Sequence, residues 1–348
     1  MSLTEKKFGT LSDGTVISSY TLKNTNGASV TLLSFGARVQ SIQMPDKRGN
    51  FDEMIMGHNE LPPYTHRGNY QGAIIGRWAN RIKDGQFVIN GEQYQVTQNE
   101  GKNHLHGGNI GFSHRVWKLK CSDYHDDSPS ITFRYCSPDG EEGFPGKCDV
   151  SVCYTLSADN ALIMEYHAKT TAPTYLNLTN HCYFHLGGPQ RDVLSTVLQI
   201  EADEVAEVTS DLIPTGKLLS VEGACDFRSG KTIGQDIRSG EPLIRQAGGY
   251  DHAYKLKGSG MRRVANAFDQ KSGRHLRVFT DRPSMQLYTA NSFDTEESDH
   301  GQIPLKPHHA FCLETQEFPD AMNHPEFCCS PLLPNEKFHT TTIYKFEL

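Results

Sequence analysis

Phe87-Val88-Ile89-Asn90-Gly91-Glu92-Gln93-Tyr94-Gln95-Val96 sets an Asn-Gly pair between two short runs rich in aromatic and β-branched residues. Such a pair supplies the two positive-φ positions of a type I′ turn, so the stretch reads as a β-hairpin. The same signature spreads outward in both directions. Alternating or β-branched runs recur at 29–33, 37–43, 131–135, 150–156, 162–168, 197–202, 276–280, 286–290 and 341–348. Their number and even spacing predict an all-β protein, a large antiparallel β-sandwich. Helical periodicity is weak, with short candidates only at 59–64 and 231–237.

Composition narrows the class further. The 348 residues include 31 Gly and 17 Pro, too many chain breakers for a helical bundle or coiled coil. No stretch approaches the roughly 18 consecutive apolar residues of a membrane span, so no membrane partner is expected. The segment 1–8 carries both signs of charge and lacks an apolar core, which points away from a secretory signal and towards the cytoplasm. Asn177-Leu178-Thr179 matches the glycosylation sequon and, in that compartment, needs another explanation. Charge is 34 basic against 41 acidic residues, a net of −7, which disfavours nucleic acid. Nine cysteines, an odd number without a CxxC pair, predict reduced and mostly buried thiols. There is no low-complexity linker or fixed repeat, and the polar loop at 294–301 lies inside the strand pattern. A single domain over residues 1–348 is expected.

Three clusters carry the residue types of chemistry. In Asn103-His104-Leu105-His106-Gly107-Gly108, an extended chain would point His104 and His106 the same way, as in a metal pair. Surface, substrate and metal roles all stay open for them, and the paired glycines permit a tight path or close approach of a ligand. In 177–188, His181 and His185 have zinc-helix spacing without the Glu of HExxH, and the β-branched content favours extended chain. In 311–316, Glu314 stands in an apolar run, either on an edge strand or as a functional carboxylate in a cleft. Arg81, Asp251 and Gln286 are individually compatible with plain scaffold.

Taken in order, GRWANRI (76–82), NHLHGG (103–108), SPDGEEGFPG (137–146), NLTNHCYFHL (177–186), LIPTG (212–216), GYDHAY (249–254), MQLYTAN (285–291) and LETQEFPD (313–320) resemble the aldose 1-epimerase family, the galactose mutarotases. The resemblance implies a galactose mutarotase-like supersandwich with an open substrate groove, and interconversion of the α and β anomers of galactose, glucose and related aldoses. By the same resemblance Glu314 is the catalytic base and His181 the catalytic acid. Arg81, His106, Asp251 and Gln286 hold the sugar, and Asn80 adjoins them. No cofactor or metal is implied, and the partner is a small aldose, bound by a monomer or weak homodimer. The chain departs from the family at His185, where Asn is frequent, and at Ala290, where Gly is frequent.

The chemistry requires a base for the anomeric hydroxyl proton and an acid for the ring oxygen. With reference values near 4.3 for Glu and 6.5 for His, the carboxylate is expected to help keep the imidazole protonated near pH 7. The competing readings are a non-catalytic sugar-binding sandwich, a metal enzyme using His104, His106, His181 and Glu314, a glycosidase with Asp251 and Glu314 as its carboxylates, and a related mutarotase for hexose 6-phosphate, which would need a basic phosphate pocket.

Overall fold

In a computed structural model of the chain, which describes residues 4–123, 127–188, 192–293, 298–299 and 303–348, the hairpin forms as its sequence dictates. Strands Gln86–Ile89 and Glu92–Gln95 pair with Ile89 opposite Glu92, and Asn90 and Gly91 both take positive φ, 52° and 83°. Apart from 298–299, the polar loop at 294–301 lies outside the described residues.

Three antiparallel sheets make the scaffold. A meander of five strands opens the described chain, from Thr4–Thr10 to Phe51–Glu53. A nine-stranded sheet has Cys148–Leu156, Ala161–Thr170, Phe338–Glu347 and His275–Thr280 as consecutive neighbours near its centre. A second five-stranded sheet runs Pro214–Ser220, Ala202–Val208, Asp251–Leu256, Ser284–Tyr288, Cys312–Gln316. Strict alternation in Cys148–Leu156 sends Val150, Val152, Tyr154 and Leu156 inward. Each such aliphatic side chain contributes roughly 1.5–3 kcal/mol when buried.

The inner faces of the second five-stranded sheet and the nine-stranded sheet meet across this core. The Tyr344 hydroxyl donates to the Leu313 carbonyl at 3.3 Å, and the Thr315 and Thr342 hydroxyls lie 2.5 Å apart. Leu313 and Thr315 therefore face the core, and period two turns Cys312, Glu314 and Gln316 to the opposite face. That second face is covered by loops, so all five residues of the strand are buried. A carboxylate inside an apolar run is thus an interior group beneath a cavity.

Local readings differ in two places. The segment at 59–64 forms a 3-10 turn at Pro62–Thr65, and 231–237 divides into strand Lys231–Thr232 and a 3-10 turn at Ile233–Gln235. Among the described residues the α-helix is Pro242–Ala247, six residues too short to show periodicity in sequence, opened by Pro and closed by Gly248 at φ 67°. No helix among the described residues is long and apolar enough to cross a membrane. All nine cysteines are free. Four are buried, but Cys121, Cys136 and Cys328 are exposed, so burial is less complete than expected.

Candidate active site

Register assembles the first wall of the site. Gln286 is opposite both Glu314 and Ala253 on its two neighbouring strands, and Asp251 lies two residues before Ala253. Antiparallel pairing and period two place Asp251, Gln286 and Glu314 on one face of the sheet. The Gln286 amide donates to Asp251 Oδ1 at 2.6 Å.

The other walls come from loops. His181 follows the short strand Thr179–Asn180, which pairs with Ile74–Ile75. Its backbone is held at both groups: its N–H donates to the Ala73 carbonyl at 3.0 Å, and its carbonyl accepts from the Gly72 N–H at 2.8 Å. Its ring is stacked between Tyr70 and Tyr183, with centroids 5.9 and 4.8 Å away. These contacts aim His181 Nε2 at Glu314 Oε1, 3.6 Å distant, while Nδ1 lies 3.6 Å from Cys312 Sγ. The two side chains are only 4% and 2% exposed.

Asn80 and His106 both take left-handed backbone, φ 67° and 50°, a costly conformation that recurs at functional sites. The Asn80 N–H donates to His106 Nδ1 at 3.1 Å. A backbone N–H only donates, so the neutral His106 ring carries its proton on Nε2. Arg81 makes two bonds to the Glu100 carboxylate, 2.7 and 2.9 Å, and its Nη1 lies 3.8 Å from Asp251. Together these groups enclose a cavity of about 440 Å³ lined by Asn80, Arg81, His106, His181, Asp251 and Glu314, with Tyr70, Tyr183, Tyr288 and Glu100 among its other walls. This volume is in the range of small-molecule sites. Six of the seven expected site residues meet there. Gln286 is buried behind the wall, where it positions Asp251.

Burial decides the electrostatics. It pushes the Glu314 carboxyl well above its ordinary value; Asp251 adds to the rise and Arg81 opposes it. Burial also lowers the His181 imidazolium to about 3 and holds His106 neutral. The free pair therefore carries its proton on Glu314, contrary to the expectation of a protonated imidazole near pH 7. Burial is the largest cause for both groups, and the Arg38 charge lowers the imidazolium further.

His106, His181 and Glu314 do bring one donor atom each within 4.8 Å of the others, as metal ligands would. However, metal-binding imidazoles donate their second nitrogen to an acceptor, and His106 Nδ1 instead accepts from Asn80. The remaining nitrogen of neutral His106 has no lone pair to offer. His104 does not point with His106: the left-handed turn at His106 breaks the alternation. His104 is buried against Phe144, with Nδ1–H donating to the Thr97 carbonyl at 2.7 Å. His185 is buried outside the cavity lining.

The quoted motifs also show scaffold roles. Asn177, in the sequon, is fully buried; its amide donates to the Ala79 carbonyl and accepts from the Glu317 N–H at 3.2 and 2.9 Å. It ties the Arg81 segment to the Glu314 segment. Arg77 donates to the Pro145 and Gly146 carbonyls, both at 2.8 Å. A Cβ on Gly107 would collide with the Gly76 carbonyl, so this glycine serves chain-to-chain approach. Ala290 occupies left-handed backbone, φ 51°, which accounts for glycine as the alternative there.

Sequence reasoning missed Glu100, Cys312 and the tyrosines around His181. Cys312 and Tyr183 each lie two residues from a site residue, a spacing that could have indicated them. Glu100 gives no such signal.

The family model for aldose 1-epimerase matches residues 18–345. Galactose mutarotase of Homo sapiens is 37% identical over 352 residues, covering 100% of this chain and 99% of that protein. Aldose 1-epimerase of Escherichia coli is 35% identical, covering 96% of each. The solved structure of galactose 1-epimerase from Lactobacillus acidophilus superposes with a TM-score of 0.89 at 29% identity, covering 99% of this chain and 98% of that one.

Proposed function

The chain belongs to the aldose 1-epimerase family, isomerases acting on sugars, and from that premise we propose that Glu314 and His181 interconvert the α and β anomers of galactose, glucose and related aldoses. The observation that carries this reading is the buried, opposed pair: His181 Nε2 lies 3.6 Å from Glu314 Oε1 at the wall of a sugar-sized cavity.

Glu314 takes the proton of the anomeric hydroxyl while His181 gives one to the ring oxygen. The bond between that oxygen and the anomeric carbon breaks, leaving an open-chain aldehyde. Rotation about one carbon–carbon bond exposes the other carbonyl face. Reclosure returns a proton from Glu314 to the new anomeric hydroxyl and one from the ring-forming hydroxyl to His181. Protons are conserved and the pair ends as it began.

The catalytic form is Glu314 carboxylate with His181 imidazolium, the tautomer of the form favoured in the free site. Both hold a single proton. A hydroxyl donating to Glu314 stabilises its carboxylate, so substrate favours the tautomer that chemistry needs. His106 offers an Nε2–H donor to a sugar oxygen. Arg81 and Asp251 supply a donor and an acceptor held by Glu100 and Gln286, so an epimer with misplaced hydroxyls leaves buried groups unpaired.

The family match over residues 18–345 supports one catalytic unit across the chain. Free thiols support a cytoplasmic setting. Polarimetry of freshly dissolved α-galactose tests the proposal. Catalytic amounts of protein should speed equilibration well beyond buffer, and a rate equal to buffer would refute it.

A further inference from the structure

Strands Ala161–Thr170 and Phe338–Glu347 are neighbours in the nine-stranded sheet, and their register sets His167 directly opposite His339. Alternation sends Met164 and Tyr166 into the core and leaves Glu165, His167 and His339 on the outward face, across the sandwich from the reaction cavity. There the two imidazole rings stack with centroids 4.6 Å apart, and His339 Nε2 lies 4.0 Å from Glu165 Oε1. One donor atom from each of the three residues falls within 4.8 Å of the others.

Among the described residues no hydrogen bond engages either ring, so each imidazole can present a lone pair. Two imidazoles and a carboxylate suit borderline divalent ions such as Zn²⁺, Ni²⁺ and Cu²⁺. With metal–nitrogen bonds of about 2.0–2.1 Å, two nitrogens on one ion sit roughly 3.3 Å apart. Half-exposed side chains on fixed strands reach that spacing by small rotations about their own bonds. Three protein ligands leave coordination positions for water.

We propose that Glu165, His167 and His339 form a surface site for a divalent transition-metal ion, which clips the Phe338–Glu347 strand to Ala161–Thr170. A groove beside it is lined by Lys120, Lys169 and Lys337, with Arg134 paired to Asp149. The lysine charge opposes a cation and so weakens its binding.

The test uses the full chain, stripped with chelator and desalted, then titrated with NiCl₂ and separately with ZnCl₂ by calorimetry and thermal unfolding. Wild type should bind one Ni²⁺ per chain and gain about 5 °C in Tm at a hundredfold excess over Kd. His167→Ala and His339→Ala should each weaken binding at least ~10-fold, and Glu165→Gln less, with mutarotation unchanged in all three. An unaltered Ni²⁺ isotherm in the His167→Ala/His339→Ala double variant would overturn the site, because the ion would then sit on thiols or in the cavity. So would a wild type that gives neither heat nor a Tm rise at millimolar metal. Unfolding without metal controls for stability, and His339→Gln decides the matter if the double variant melts early.

Discussion

Two groups of the same composition, two histidines and one glutamate, lie on opposite sides of this molecule. His106, His181 and Glu314 are buried under the cavity, with His106 Nδ1 engaged by a backbone N–H. Glu165, His167 and His339 stand on the outer sheet face, with the two rings stacked on each other and neither in a hydrogen bond among the described residues. Residue type and spacing do not separate them, but environment does. In the first, lost hydration drives the carboxyl up and the imidazole down, so that one proton is shared between partners poised to exchange it. In the second, solvent leaves lone pairs available to an ion.

The comparison breaks most visibly at the buried pair. Glu314→Gln keeps size and hydrogen bonding but removes the proposed proton acceptor, and His181→Asn removes the proposed acid. Each should lower turnover by at least ~100-fold with folding intact, read by polarimetry beside thermal unfolding. A well-folded Glu314→Gln protein with wild-type rate would end the assignment of the base.

A smaller effect is expected one contact further out. Arg81→Ala and Asp251→Ala should raise KM by roughly 10-fold or more while kcat falls less, since both are proposed to hold hydroxyls in ground and transition states alike. Abolished turnover with sugar affinity retained would show that the division between binding and proton transfer is misplaced.

Next comes the pH profile, which sharpens the contrast in environment. Ordinary values near 4.3 and 6.5 would give a narrow bell with the carboxylate on its acid limb and the imidazole on its alkaline limb. Burial reverses the assignment. The doubly protonated pair loses its first proton from His181 at about 3, and the last leaves Glu314 at its raised value. Profiles of kcat/KM should therefore stay flat through pH 6.5, with both limbs displaced outward. Asp251→Asn should move the alkaline limb down and Arg81→Gln should move it up, because Asp251 raises and Arg81 lowers the Glu314 carboxyl. A decline beginning near pH 6.5 would mean that His181 titrates as a solvated imidazole.

The smallest expected effects are on the outer face. His167→Ala should leave turnover unchanged and alter metal-free stability by no more than ~0.5 kcal/mol, as for most surface changes. Chelation should likewise leave mutarotation intact, since the reaction moves only protons. Activity lost to chelator and restored by one ion would make the cavity group, too, a metal site.

Much of the scaffold was legible because β-sheet physics is local in its first step. Asn90-Gly91 specified its own turn, and the strand at 29–33 is observed as Ser29–Leu33. The α-helix Pro242–Ala247 was not legible, since six residues hold less than two turns of periodicity. Candidate residues were legible through motifs, yet motifs did not distinguish Gln286, which stands behind the wall, from Asp251, which lines it. Extended-chain alternation did not foresee that His104 and His106 point differently, because the turn between their directions depends on left-handed backbone at His106.

The sequence by itself determined the strand pattern, the hairpin and the membership of Glu314 and His181 in a recognisable order of motifs, all of which depend on residue identity along a line. Tertiary structure alone decided which of those residues meet, at what distance and in how dry a setting. Glu314 reaches the cavity because register places it opposite Gln286 and loops bury the face it occupies. His181 reaches it because two tyrosine rings and the Gly72–Ala73 backbone fix its plane. Hydration is a property of what surrounds a group, and for a chain folded into stacked sheets those surroundings come mostly from residues far away in sequence.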